Sequence, residues 1–247
     1  MKVALFIPCY IDAVYPEVGV ATLELLERLG VEVEYPLEQT CCGQPMGNEG
    51  AQQSAVKTEE NFCRNFTGYD VIVCPAGSCV KHVKNHLDAV EQTDDVKKIR
   101  ENTVELVEFI HDRLGIKDFP WADFPHKIAI HNSCSSIRGL HLASRSEWQE
   151  PRFNKTEDLL KNIKNIEIEH IDRPDECCGF GGTFCATDPG VSAKMGSDKV
   201  ADYTRHEIEY VVSPDMSCLM HQSGIASREK SPLKFIHVAQ VLNNGPF

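Results

Sequence analysis

The chain opens with Val3-Ala-Leu-Phe-Ile7, five apolar residues in a row, which predicts a short buried strand. A stretch with helical spacing follows over 16–30. Pro16 opens it, Val20, Leu23, Leu26 and Leu29 recur along it, and Gly30 stops it. Val31-Glu-Val-Glu-Tyr35 then alternates as a half-buried strand. A polar helix is expected over about 49–65, and Asp70-Val-Ile-Val-Cys74 reads as a third strand. Later, Lys127-Ile-Ala-Ile130, Ile166-Glu-Ile-Glu-His-Ile171 and Ile208-Glu-Tyr-Val-Val212 give the same three-strand order. Strands alternating with helices predict an α/β fold of parallel strands with right-handed crossovers.

The two series match residue by residue. Lys2 to Cys9 aligns with Lys127 to Cys134, Cys41-Cys42-Gly43 with Cys177-Cys178-Gly179, and Asp70 to Cys79 with Glu209 to Cys218. A fourth match pairs Glu108-Phe-Ile-His111 with Lys234-Phe-Ile-His237, which places His111 and His237 at equivalent points of a shared final helix. The order of landmarks predicts two pseudo-symmetric halves, 1–118 and 127–247, joined by a proline-containing connector at 119–126.

Composition narrows the class. With 247 residues, 42% hydrophobic and 25% charged, the chain has the balance of a soluble globular protein. A formal net charge of -12 argues against nucleic acid or anionic lipid as partners. No run of 18 apolar residues and no signal-type N-terminus occurs, so a cytoplasmic protein without a membrane span is expected. Eleven cysteines are the anomaly. In such a chain they point to metal or redox chemistry rather than structural disulfides.

Their placement is the main signal. Cys9, Cys41, Cys42 and Cys79 each follow a separate predicted strand, as do Cys134, Cys177, Cys178 and Cys218. Parallel strands put the loops after them along one sheet edge, so each half is expected to form a four-thiolate cup at the carboxyl edge. Four thiolates suit zinc or an iron–sulfur cluster. Adjacent cysteines reach two irons of one cluster more readily than they crowd onto one zinc, and zinc-knuckle spacings are absent. Spacing therefore favours iron–sulfur, with zinc and metal-free redox thiols as the alternatives. Gly43, Gly179, Gly181 and Gly182 are candidate cofactor-binding residues whose backbone N–H groups approach anionic sulfur closely.

At these residues the chain resembles the paired CCG domains of heterodisulfide reductase and of the glycolate oxidase iron–sulfur subunit. With Cys-Cys-Gly-Gln-Pro from Cys41 and Cys-Cys-Gly-Phe-Gly-Gly-Thr-Phe from Cys177, and no ferredoxin domain, it is most similar to the LutA/YkgE family. The resemblance covers the whole chain. It implies an iron–sulfur subunit of a cytosolic L-lactate-oxidising system that yields pyruvate, working with LutB-like and LutC-like subunits. The implied cofactor is a [4Fe–4S] cluster, one or two per chain, and no FAD or NAD site is expected here. A thiol–disulfide oxidoreductase and a zinc-stapled scaffold are the rival readings. One departure stands out: where the reductase pattern has the first cysteine of a closing Cys-x-x-Cys, this chain has Ala76 and Asp215. A five-ligand cluster is therefore not carried over.

Cys74 and Cys185 are possible extra ligands. Cys63, between phenylalanines, is expected to pack. His131, three residues before Cys134, is expected in the core or beside the second cup, with direct ligation as the sharper option. Lys194 and Lys199 are expected on a solvated helix face.

Overall fold

A computed structural model describes residues 1–244. Among these residues, eight strands form two parallel four-stranded sheets. The first holds β1 (Val3–Leu5), β2 (Val33–Glu34), β3 (Val71–Cys74) and β4 (Thr103–Glu105) in the order β2-β1-β3-β4. The second holds β5 (Lys127–Ile130), β6 (Glu167–Ile168), β7 (Tyr210–Ser213) and β8 (Lys234–His237) in the order β6-β5-β7-β8. The fold is thus α/β with two similar halves. In each, the strand order reverses between the first and third strands. At such a switch point the following loops diverge and leave a crevice beyond the carboxyl ends.

Both fourth strands differ from the reading of the sequence. Thr103–Glu105 is only three residues long and sits directly between two helices, with no turn residue to announce it. It exists because Val104 pairs with Val73 of β3 at the edge of the sheet, where both are fully buried. The Phe-Ile-His match is consequently out of register. His237 ends β8 and caps the helix Val238–Asn243, and the residue in its place in the first half is Glu105, which ends β4 and caps Leu106–Glu108. His111 instead lies a turn further on, hydrogen-bonded to Asp112 and Asp158. The buried face of the helix Pro16–Arg28 is also rotated from the expected one: Val18, Ala21, Leu25 and Leu26 are inside, and Val20 is exposed.

The halves interlock. Val238–Asn243, the last helix of the second half, packs on Pro16–Arg28 of the first; Leu106–Glu108 and the π-turn Phe109–Leu114 pack on Lys155–Leu160 of the second. Arg28 donates to the Asn243 carbonyl at 2.8 Å, Asn243 donates to Glu24 at 2.7 Å, and Lys155 pairs with Asp112 at 2.6 Å. A single apolar core runs from Val3 and Leu5 through Phe119 and Phe124 to Val241 and Leu242. A smaller one, built on Phe6, Phe62 and Phe66, closes the other face of the first sheet.

Candidate metal centres

In the first half, Cys9 opens the short helix after β1, Cys41 and Cys42 lie in the loop after β2, and Cys79 sits in the first turn of Gly77–His86 after β3. Their sulfurs meet. The thiols of Cys42 and Cys9 both hydrogen-bond to the Cys41 sulfur, and Cys42 also reaches Cys79. The second half repeats the arrangement: Cys134 and Cys178 both hydrogen-bond to Cys177, and Cys178 reaches Cys218. All eight cysteines proposed from the sequence therefore fall into two groups of four, each at the carboxyl edge of its sheet.

Each cup concentrates negative charge on one sulfur. The two neighbouring thiols hold Cys41 far below the ordinary thiol value, and the Gly43 N–H, 3.4 Å away, adds to the effect. Cys177 is lowered in the same way, with the Gly179 N–H at 3.4 Å. The donors move the other way. Donation to Cys41 and burial raise Cys9, donation to Cys41 and Cys79 with burial raises Cys42, and the counterparts Cys134 and Cys178 behave alike. Cys218 accepts from Cys178, yet burial and the nearby Asp215 carboxylate leave it raised. Crowded thiols of this kind lose protons most readily to a cation, which removes the repulsion that keeps them protonated.

The glycine after each doublet is required by backbone shape. Gly43 has φ +94° and Gly179 φ +91°, a region that L side chains rarely adopt. A Cβ on Gly179 would also lie 2.6 Å from the Ser192 carbonyl oxygen. Gly181 and Gly182 share the positive φ but line the open cleft beyond the second cup.

Beneath each doublet lies a histidine that sequence reasoning passed over. His82 and His221 each follow their half's last cup cysteine by three residues, one helical turn, so the signal was present in the repeat. His82 is buried against Glu59 at 3.5 Å, too long for a full hydrogen bond, and presses against Gly43 and Gly47. Glu59 itself accepts from the Ala89 N–H at 2.8 Å. His221 lies 3.3 Å from the Ser192 carbonyl, and the Ser192 hydroxyl donates to the Gly179 carbonyl at 2.7 Å.

Ala76 and Asp215 explain what replaced the extra cysteine pair. They form an antiparallel bridge between the halves. The fully buried Asp215 carboxylate accepts from the Ser78 N–H (2.9 Å), the Ser217 N–H (3.2 Å) and hydroxyl (2.6 Å), and the Tyr10 hydroxyl (3.3 Å). The position is structural glue between the lobes.

The remaining candidates divide. Cys74 is buried at the end of β3 with its thiol toward the Ala76 carbonyl at 3.8 Å, and burial raises it. Cys185 turns to the Gly182 carbonyl at 3.1 Å, within its own loop. Cys63 packs half-buried beside the phenylalanine core, and burial pushes its thiol up to about 11. Lys194 is exposed and paired with Asp198, as expected. Lys199 is not solvated: it is fully buried and donates to the Arg173 carbonyl. His131 is fully buried, and burial holds it down at about 3, so its ring is neutral. A ring nitrogen of His131 and the sulfurs of Cys178 and Cys218 lie within 4.8 Å of one another.

Between the cups lies a cleft of ≈ 750 Å³. Cys134, Cys177, Cys178 and Cys218 all open onto it, whereas the first cup presents only Cys9. The donor set fits a sulfur-ligated metal: four sulfurs per cup linked in a chain of contacts, an amide aimed at one of them, and an orphaned imidazole beside the second cup. No helix among the described residues is long and apolar enough to cross a membrane.

Fold and site together define a protein of two cysteine-rich domains in tandem. The CCG cysteine-rich domain family matches residues 3–84 and again 128–222. Over nearly its full length the chain is similar to proteins named lactate utilization protein A. It is 35% identical to that of Bacillus pumilus (99% of this chain, 100% of the relative), and 37% identical to that of an Exiguobacterium species (99% and 98%). The protein from Oceanobacillus iheyensis is 34% identical (98% and 97%). The chain belongs to the lactate utilization protein A family. A crystal structure of a hypothetical protein from Helicobacter pylori shares the fold, with a TM-score of 0.60 at 9% identity; it covers 98% of this chain, and the chain spans 48% of that structure.

Proposed function

We propose that this protein is an iron–sulfur subunit of a cytosolic system that oxidises L-lactate to pyruvate. Cys9, Cys41, Cys42 and Cys79 hold one cluster, and Cys134, Cys177, Cys178 and Cys218 hold the other, each an ordinary [4Fe–4S] type. Such a group, when bound, accepts and releases single electrons. The chain's own residues assemble the thiolates, hold the Cys-Cys-Gly turns on Gly43 and Gly179, and aim backbone N–H groups at the most negative sulfur. A two-electron acceptor for the hydride belongs to a LutB-like or LutC-like partner, since hydride chemistry needs a flavin or nicotinamide. The observation that carries this reading is the gathering of four cysteines at the carboxyl edge of each sheet, within a chain whose relatives are named for lactate utilization.

Anaerobic purification with iron, sulfide and EPR assays tests it. Brown protein with about four irons per loaded cup is the expected result. Colourless protein with stoichiometric zinc would sink it in favour of a scaffold. A second reading is favoured by one feature: Cys41 and Cys177 are held as thiolates, the form that attacks disulfides. Metal-free protein with rapid alkylation at those two residues would establish thiol exchange instead. Co-purification with the LutB-like and LutC-like proteins tests the partnership.

A further inference from the structure

The two cups are not chemical twins. On the helix Gln52–Phe66 the buried positions are Ala55, Glu59, Phe62 and Phe66. At one constant offset along Pro189–Arg205, Ser192, Gly196, Lys199 and Tyr203 are buried in the same pattern. Phe6, the residue after β1, stacks edge-on against Phe62 at 4.9 Å and Phe66 at 5.5 Å. The residue after β5 in the matching place is His131. The second half therefore substitutes His131, Lys199 and Tyr203 for a wall of three phenyl rings, and all six side chains are essentially inaccessible.

Lys199 spends its ammonium on the Arg173 carbonyl. The other two have no such outlet. Both ring nitrogens of His131 and the hydroxyl of Tyr203 are buried without a hydrogen-bond partner. Polar groups in that state are costly unless something occupies them. The nitrogen's neighbours are sulfurs, not carbonyls: it lies within 4.8 Å of Cys178 and Cys218. With metal–sulfur and metal–nitrogen lengths of about 2.3 and 2.0 Å, an iron held by either sulfur comes within reach of that nitrogen after a small adjustment.

We propose that the second cup is a mixed nitrogen–sulfur centre, in which His131 gives an imidazole nitrogen to an iron of its cluster, beside Cys178 and Cys218. The first cup, walled by Phe6, is all-sulfur. This rests on the reading of both cups as iron–sulfur centres. A neutral imidazole adds no negative charge, and histidine ligation raises cluster potential. The second centre is then the electron sink: the first loses one electron, the second gains it, and no proton moves. The sink is also the centre that faces the cleft with all four of its cysteines.

The test is pulsed EPR on dithionite-reduced, cluster-loaded full-length protein, grown with natural-abundance or ¹⁵N-labelled histidine. A strong nitrogen coupling that changes on labelling is the expected result. It persists in Cys41→Ser, where only the second cup keeps four cysteines, and disappears in His131→Phe, where the higher reduction midpoint also moves down. Clusters that form in wild type and Cys41→Ser without histidine coupling overturn this inference alone. A Cys41→Ser protein that loads no iron while wild type does overturns it too. Wild-type protein that takes up neither iron nor sulfide overturns the proposed function, and this inference with it. The labelling experiment needs no substitution, so misfolding of His131→Phe does not shield the idea.

Discussion

His237 gives the protein a stability that depends on pH. It is fully buried where the halves meet. Its Nε2 donates to the Pro75 carbonyl of the first half at 3.1 Å, and its Nδ1 accepts from the Ala239 N–H at 3.1 Å, capping the last helix. The second bond requires the neutral ring, because a protonated Nδ1 cannot accept. Burial holds it down to about 4 against an ordinary 6.5. Below pH 6.5 the unfolded chain therefore takes up a proton that the folded chain refuses, and stability falls with pH until the loss is complete near pH 4. At about 1.4 kcal/mol per pH unit that gap amounts to about 3 kcal/mol, of which about 2 is lost between pH 7 and pH 5. His131 titrates in an overlapping range, so the wild-type curve alone does not isolate the effect. The assay is anaerobic urea unfolding of wild type and His237→Asn across this range. Asn keeps a side-chain acceptor at the helix N-cap but does not titrate. The wild type's advantage over the variant should shrink by about 2 kcal/mol between pH 7 and pH 5. An advantage that stays constant to within about 0.5 kcal/mol would refute the assignment.

Substitutions at the two doublet glycines should differ. Gly179→Ala forces a Cβ to 2.6 Å from a backbone oxygen and should cost on the order of 3 kcal/mol, with loss of iron from the second cup. Gly43→Ala meets only side chains, Glu59 at 3.1 Å and His82 at 3.3 Å, and should cost about 1–2 kcal/mol with iron retained, as melting and iron assays would show. Leu242→Ala removes a fully buried side chain from the interlock and should destabilise by about 2–5 kcal/mol, against less than about 0.5 for exposed Val20→Ala. Cys41→Ser and Cys177→Ser should each lose about half the iron, while Cys63→Ser keeps it; equal iron in all three would contradict the assigned ligand sets.

The parallel strands and the gathering of cysteines were legible because each signal is local. An apolar run predicts a strand, and the residue just past it lands on the carboxyl edge. What stayed hidden depends on distant partners. Thr103–Glu105 becomes a strand only because β3 lies beside it, and Phe-Ile-His looks alike in two places that the sheets put in different registers. Lys199 reads as a solvated helix position, since nothing in Asp198-Lys199-Val200 announces that Arg173 will bring a carbonyl to it. Asp215 reads as a missing ligand until the other half is in place to donate to it. His82 and His221 are the exception: their shared spacing after a cup cysteine was readable without coordinates.

The exchanged end helices bear on how such a duplicated chain could ever be divided. A lone half would carry four sulfurs and a complete sheet, yet the apolar stripe of Pro16–Arg28 or of Lys155–Leu160 would face water, because its cover is encoded in the other half. Sulfur chemistry is modular here, but foldability is not. Fragments 1–118 and 119–247 made separately should aggregate, and made together should reconstitute one particle.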